Sequence, residues 1–341
     1  MEPSSSQVTA TALGDWPGTD PLEAARVVRG ELGDPHLPHL VSLPERGIGS
    51  DAVGRTAALL VELPVDVQPH GWRLVDRPGK DHRRAVSALS TDLNVLGDVI
   101  GAESAPAPAL KVHLRGPLSL AANLHLHSGE RALLDVGARR EIRDSLAAGA
   151  ADLISRVAAV APGALVHVQL DEPEIASVLA GGVPTASGYR TLRAVPDQEA
   201  ADGWDAVAEA VRGAGAGTVA VSFPADRAPL DVLATSSITA VALPLAGLSM
   251  AQWESLAGHL EAGGDLWAGI VPDPRIVPTV SALAGAVLSP WRMLGLPLNR
   301  LAQLRVTPDT GLAGVSPAAA ASLLRRLTQT ADALNQDMAN N

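Results

Sequence analysis

Residues 165–173 read Leu-Val-His-Val-Gln-Leu-Asp-Glu-Pro, a short apolar run that ends in two carboxylates and a proline. The polar residues His167, Gln169 and Asp171 alternate with apolar ones, and successive side chains on a strand point to opposite faces. The stretch therefore predicts a strand with one polar and one apolar face, followed by a loop that begins at the carboxylates.

A similar order of segments recurs along the chain. Short apolar or β-branched runs are followed by Gly, Pro or Asp and then by longer stretches with helical spacing. The other strand-like runs are residues 8–16, 40–43, 110–117, 218–224, 238–245, 266–272 and 303–310, and the clearest helical stretches are 137–158, 202–213, 249–262 and 316–334. Ser249 and Ser316 are suited to cap the last two helices, and Pro317 suits a first helical position. Strands that alternate with helices predict a parallel sheet.

Eight such units favour an α/β fold of the (β/α)8 TIM-barrel type, as a single domain over residues 1–341 with the barrel at 8–335 and a flexible tail at 336–341. An open, doubly wound sheet is the alternative, but it usually carries a Gly-rich phosphate loop, and no such motif is present. Residues 47–101 are long for one unit, and we expect extra helices there, after the second strand.

The composition excludes several classes of protein. The 341 residues are 47% hydrophobic and 18% charged with a net charge of −11, which disfavours disorder and nucleic-acid binding. The absence of cysteine excludes disulfides, Cys-ligated metals and a Cys nucleophile. No apolar run reaches the roughly 18 residues of a membrane span, and the first residues do not resemble a signal peptide, so we expect a cytoplasmic protein.

Candidate site residues lie where strands end, because the active site of a barrel forms at the carboxyl ends of its strands. They are Asp15, Trp16, Asp171, Glu172 and Asp309. Three strands offer one polar face each, and such an interior is either a buried network of paired groups or the floor of a site. The histidine pairs at 36/39 and 125/127 lack a carboxylate at ligand spacing, and we interpret them as structural or solvated.

Four motifs, in order, resemble the catalytic barrel of the cobalamin-independent methionine synthase family. They are Gly-Asp-Trp-Pro-Gly-Thr at 14–19, Lys111 with Gly-Pro-Leu-Ser at 116–119, Gln-Leu-Asp-Glu-Pro at 169–173, and Thr-Pro-Asp-Thr-Gly-Leu at 307–312. The resemblance runs from residue 14 to 312 and implies a single catalytic barrel, without the duplicate barrel of longer members.

The resemblance implies methyl transfer from a methyltetrahydrofolate to the thiol of homocysteine, held as a thiolate by zinc. Asp171 would hold the amino group of the substrate, together with Glu172. The positions of the family's zinc ligands fall near Val221, Phe223, Leu243 and Thr310, none of which is a usual zinc ligand. Zinc is therefore expected for the family but not supported by these residues, and no other cofactor is indicated.

Three functions remain open at this point. The first is a homocysteine methyltransferase that uses a folate-type donor, and the second is an inactive or repurposed barrel that acts as a binding or regulatory protein. A metal-free decarboxylase resembling uroporphyrinogen decarboxylase comes third, because its Arg-rich N-terminal signature is missing. The expected partners are small molecules, without nucleic acid or membrane, and the oligomeric state is left open.

Overall fold

A curled sheet of seven parallel strands forms the centre of the protein in a computed structural model that describes residues 7–225 and 228–340. The strands lie in the order β1-β9-β8-β7-β6-β5-β4, and a separate antiparallel hairpin consists of β2 and β3. The strands are β1 (Thr9–Ala10), β2 (Val65–Gln68), β3 (Gly71–Leu74), β4 (Ala109–Arg115), β5 (Leu165–Asp171), β6 (Val219–Ser222), β7 (Ala240–Pro244), β8 (Asp265–Val271) and β9 (Leu304–Pro308).

Helices follow the sheet strands and cover their outer side, as the alternating pattern predicts. They are α1 (Pro21–Glu31), α2 (Ala52–Ala57), α3 (Lys80–Gly101), α4 (Pro117–Asn123), α5 (Val136–Val160), α6 (Ile175–Leu179), α7 (Asp197–Gly213), α8 (Leu230–Leu233), α9 (Met250–Glu261), α10 (Val280–Met293) and α11 (Pro317–Ala339). The Ser249 and Ser316 side chains accept hydrogen bonds from the Gln252 and Ala319 N–H groups, so both predicted N-caps are confirmed.

The closed eight-stranded barrel is not found, because the predicted strand at residues 40–43 does not form regular strand structure. Only isolated parallel bridges join this segment to its neighbours, from His39 to Lys111 on β4 and from Ser42 to Asp15 beyond β1. The Leu40 N–H donates to the Lys111 carbonyl oxygen at 2.8 Å and the Ser42 N–H to the Gly14 carbonyl oxygen at 3.0 Å, so the segment lies between the two edges of the sheet without forming a continuous ladder with either.

The long connection at residues 47–101 contains the expected helices, α2 and α3, and also the β2–β3 hairpin, which the sequence did not predict. At the other end, α11 continues to Ala339, so most of the segment predicted to be a flexible tail is helical. Residue 341 lies outside the described residues.

The inner side of the sheet is polar on β4, β5 and β9, as the alternation on three strands predicts, and apolar on β6, β7 and β8. Lys111 and Gln169 are fully buried there, and Trp267 fills the space beside them. The Lys111 Nζ and Arg305 Cζ atoms lie 5.5 Å and 5.4 Å from the centre of the Trp267 ring. Apolar residues of the same strands, such as Val168, face outward and join the main hydrophobic core under the helices.

No helix among residues 7–225 and 228–340 is long and apolar enough to cross a membrane.

Candidate functional site

An open cavity of about 340 Å³ lies at the carboxyl ends of the sheet strands. Its polar lining comes from residues that end or follow different strands: Asp15, His113, Arg115, Asp171, Ser222 and Asp309. In α/β sheets this edge is where ligands bind, because loops of several strands converge there. The parallel topology therefore brings together groups that are almost 300 residues apart in sequence.

Three of the five candidate residues, Asp15, Asp171 and Asp309, line this cavity. Trp16 does not, since it is only 2% exposed and belongs to the hydrophobic core. Its neighbour Asp15 faces the cavity, and successive residues in extended chain point to opposite sides. The scarcity of aromatic residues favours a ligand-lining role for Trp16, whereas its burial gives it a packing role.

Glu172 is also outside the cavity and fully buried. Its carboxylate accepts hydrogen bonds from the Leu118 and Ser119 N–H groups at 3.2 and 2.7 Å and from Trp204 Nε1 at 3.1 Å. Burial raises the pKa of Glu172 to about 7. A Cβ atom on Gly116 would lie 2.3 Å from this carboxylate, so the Gly-Pro motif and the Asp-Glu-Pro motif fit together here. Glu172 thus holds the start of α4 against the end of β5.

The cavity carboxylates hold protons more tightly than ordinary ones. Burial raises the pKa of Asp171 to about 6, even though Gln169 donates a hydrogen bond of 2.6 Å to it and Lys111 and Arg115 lie nearby. Burial also raises the pKa of Asp309 to about 6 and raises that of Asp15. The Oδ1 atom of Asp309 is buried and has no hydrogen-bond partner among residues 7–225 and 228–340.

Among the described residues that line the cavity, the cationic group is Arg115, at the end of β4. Its Nε atom is buried and has no hydrogen-bond partner in the described part of the chain, and its Nη1 atom lies 3.9 Å from the nearest Glu174 oxygen. The Arg115 backbone N–H donates to the Thr56 hydroxyl at 2.9 Å, which fixes the strand end against α2. Arg115 therefore presents an incompletely satisfied guanidinium to a cavity that is otherwise acidic.

The floor of the cavity contains the His113 imidazole, whose Nδ1 atom is bonded to no other described residue. Burial, together with the nearby positive charges, lowers its pKa well below the ordinary value, so the ring is neutral. Gly14 has a φ of 133°, and a Cβ atom there would lie 2.1 Å from the His113 ring. The first motif thus needs glycine at this position for the ring to fit.

Two of the four positions at which the resembled family has zinc ligands lie in the wall of the cavity. Phe223 and Thr310 line the cavity, whereas Val221 and Leu243 point outward into the hydrophobic core. Among residues 7–225 and 228–340 there is no cluster of three or more His, Cys, Asp or Glu side chains arranged to hold a metal ion. The residues present therefore do not fit a zinc ion held in the family's manner.

The structure adds Lys111, Gln169, Arg115 and Ser222 to the candidate set. The first two lie under the cavity, where they form a hydrogen-bonded chain with Asp171, and the other two line it. Period-two alternation in 110–117 and 165–173 is the signal that could identify the first three, because they share the polar face of their strands. The paired histidines at 36/39 and 125/127 do not line the cavity.

A second hollow of about 540 Å³ lies between α1 and the end of α3. Its charged lining residues are Arg26, Arg29, Asp98 and Glu103, of which Arg29 and Glu103 bind each other, with Nη2–Oε2 at 2.6 Å. The smaller cavity is the better candidate because it lies where the sheet strands end.

Similarity to proteins of known structure is found at the level of the fold. A methyltransferase from Methanosarcina mazei superimposes with a TM-score of 0.55 at 12% identity, covering 96% of this chain and 94% of that one. A B12-independent methionine synthase from Shewanella sp. W3-18-1, in complex with selenomethionine, gives a TM-score of 0.53 at 14% identity, covering 83% and 75% of the chains. No protein-family model and no curated protein sequence matches the chain. The fold is thus related to these barrels, while family membership is not shown.

Proposed function

We propose that the cavity binds a small amino acid of the homocysteine and methionine type, and that the protein transfers a methyl group to its thiol. The supporting observation is that groups of opposite charge line one cavity: the Arg115 guanidinium, whose buried Nε atom has no hydrogen-bond partner among the described residues, and the Asp171 carboxylate. A buried polar atom without a partner costs free energy unless a ligand supplies one. An amino acid carries a carboxylate and an ammonium group, which complement this pair.

In this proposal, Arg115 binds the substrate carboxylate, while Asp171 accepts hydrogen bonds from its ammonium group. The apolar wall at Phe223, Pro224 and Pro244 then contacts the sulfur-bearing side chain. A volume of about 340 Å³ is in the lower part of the usual range for ligand pockets, so it suits a small ligand plus part of a methyl donor.

Methyl transfer requires the thiolate, because the neutral thiol, with a pKa of about 8.5, is a poor nucleophile. Asp309 is suited to accept that proton, since its raised pKa of about 6 narrows the gap to the thiol. The sulfur then forms a bond to the methyl carbon while the bond from that carbon to the donor nitrogen breaks. The proton held by Asp309 can return to the donor nitrogen, so the charges balance.

A second candidate function is amino-acid binding without methyl transfer, and the apolar wall favours it. Where the resembled family has metal ligands that stabilise a thiolate, this chain has Phe223 in the wall and two residues directed into the core. Such a wall favours a neutral thioether over a charged thiolate, because an unpaired charge against apolar groups is costly.

Two measurements on the same protein test these functions. Titration calorimetry with L-homocysteine under reducing conditions and with L-methionine measures binding, and mass spectrometry measures label transfer from methyl-labelled methyltetrahydrofolate. We expect Asp171→Asn to weaken amino-acid binding at least about tenfold, because the substitution removes one charge-assisted hydrogen bond to the ligand. Asp76→Asn, an exposed site outside the cavity, is the matched control.

The outcomes separate the candidates. Binding with label transfer supports the methyltransferase, whereas binding without transfer supports the second candidate. If neither amino acid binds at millimolar concentration, the proposal is wrong for both.

A further inference from the structure

The inner side of the sheet contains a lysine in a chain that almost always uses arginine. There are two lysines, Lys80 and Lys111, against 24 arginines, and Lys111 is fully buried. An ammonium group is a compact charge with three N–H donors, whereas a guanidinium is a wide planar fork. The interior of the sheet therefore holds the smaller cation at a place where burial makes any unpaired charge costly.

All three directions of the Lys111 ammonium group have a partner. It donates to the Ala12 carbonyl oxygen and, at 2.5 Å, to Gln169 Oε1. The face of the Trp267 ring lies on a third side, 5.5 Å from Nζ, where the ring attracts a cation. This arrangement fixes the Nζ atom rather than leaving it free to move toward the cavity.

The Lys111 ammonium also determines which way the Gln169 amide is turned. An ammonium has no acceptor, so the Gln169 oxygen must face it and the amide nitrogen must point away. That nitrogen donates to the Leu13 carbonyl oxygen at 3.1 Å and to Asp171 Oδ1 at 2.6 Å. The buried Lys111 ammonium is thus connected to the Asp171 carboxylate through the Gln169 amide alone, and the amide can adopt only one orientation between them.

We propose that Lys111 is a positioning residue, which acts through the Gln169 amide to keep the Asp171 carboxylate ionised and turned toward the cavity. One carboxylate oxygen accepts from Gln169, and the other is available for the ammonium group of a ligand. This role depends on the proposed function only for the identity of the ligand, because the contacts from Lys111 through Gln169 to Asp171 are present in the ligand-free protein.

Other charges also act on these groups and must be separated from the contact through Gln169. Arg115 stabilises the charged form of Asp171, while Asp15 opposes it. The groups whose charges act on or are affected by Lys111 are Asp15, His39, His113, Asp171 and Arg305. A purely electrostatic effect of Lys111 would not need the amide, whereas the proposed role does.

The test measures the protonation of Asp171 in the ligand-free protein by carbon NMR of labelled aspartate carboxyl groups. The Asp171 signal is assigned by its loss in Asp171→Asn. We expect Lys111→Met to raise the titration midpoint by about one pH unit or more, since an opposite charge at close range shifts a carboxyl group by that much. The exposed lysine provides the control, and Lys80→Met should leave the midpoint unchanged.

The contribution of the amide is tested by Gln169→Met and by the double variant. If the two residues act as one chain, Gln169→Met raises the midpoint as well, and the double variant raises it by less than the sum of the single shifts. A shift in Lys111→Met without one in Gln169→Met would overturn the proposal in favour of a direct charge effect. Unchanged midpoints in both variants would also overturn it.

If the variants do not fold, the unsubstituted protein still decides the matter. The side-chain amide signals of Gln169 should then change with pH at the midpoint of Asp171, and silent amide signals would overturn the proposal. Because these titrations contain no ligand, they can succeed where amino-acid binding fails. Failure of the positioning role and failure of the proposed function are therefore distinguishable.

Discussion

Trp267→Ala is the substitution for which the structure predicts the largest loss of stability inside the sheet. The Trp267 side chain is 2% exposed, and the buried residues grouped with it on the inner side are Leu37, Ala220, Ala240 and Ala242. Three of these four neighbours are alanines, which have no side-chain freedom to fill a void. The space left by the indole would therefore remain largely empty.

The expected cost has two parts. Replacing a buried Trp by Ala costs about 3–5 kcal/mol, with the upper end applying where the site cannot collapse. The ring also lies beside two buried cations, Lys111 and Arg305, and a desolvated cation–π contact contributes about 1–2 kcal/mol. We therefore expect a loss of about 5 kcal/mol or more, which approaches the whole stability of a marginal protein.

Urea unfolding, followed by circular dichroism, measures this loss. Trp253→Ala is the comparison, because Trp253, on α9, is 8% exposed and no cation of the described residues lies over its ring. Trp267→Phe, which keeps an aromatic face, should recover part of the loss. If Trp267→Ala costs no more than Trp253→Ala, the reasoning from unfilled space and ring-bound cations is refuted.

Three further results are expected. Amino-acid affinity should fall as the pH is lowered through about 6, because Asp171 and the other cavity carboxylates gain protons there and lose the charge that attracts an ammonium group. Titration calorimetry between pH 5 and 7.5 measures this change. Arg115→Met should weaken amino-acid binding by about 10- to 100-fold, which is the contribution of a hydrogen bond to a charged group. It should weaken binding of the amino-acid methyl ester far less, because the ester has no carboxylate for Arg115 to bind. Gly149→Ala should destabilise the protein in urea unfolding, because its Cβ would lie 1.8 Å from the Leu59 carbonyl oxygen. Gly258→Ala, in open space on α9, should instead stabilise the protein by about 0.5–1 kcal/mol. Equal effects of the two substitutions would contradict this description of the packing.

Much of the sheet is predictable because period-two alternation is a local property. The polar faces of the segments containing Lys111, Gln169 and Arg305 are visible in the sequence, and the structure places those residues on the inner side. The N-caps at Ser249 and Ser316 are likewise local signals. These features depend on neighbours in the chain rather than on the rest of the fold.

The predictions that fail depend on contacts between distant segments. The run at 40–43 has the composition of a strand, but it meets β4 and the residues beyond β1 only through isolated bridges, and this depends on where those distant segments lie. The prediction for Trp16 rests on the scarcity of aromatic residues, a property of composition that does not reveal which face a side chain occupies. The Gln169 contact with Lys111 spans 58 residues, so no spacing rule in either segment indicates it.

The resemblance to methionine synthases points to the carboxylates at the strand ends, and Asp15, Asp171 and Asp309 do lie in one cavity. Their substrate role stays a prediction. Alternation places Arg115 on the polar face of its strand, but the guanidinium atom without a hydrogen-bond partner among the described residues, which makes it a candidate, is visible only in the fold.

The wall of the cavity beside α2 is held by a group far from it in sequence. Asp92 on α3 accepts hydrogen bonds from Arg46 at 2.7 and 2.8 Å and from Arg55, and α2, which contains Arg55, also supplies Ala52 to the cavity. A directed-evolution library limited to the cavity lining would therefore omit a site able to reshape the entrance. We expect changes at Asp92 to act on this wall through Arg55 and α2, without touching any residue that lines the cavity.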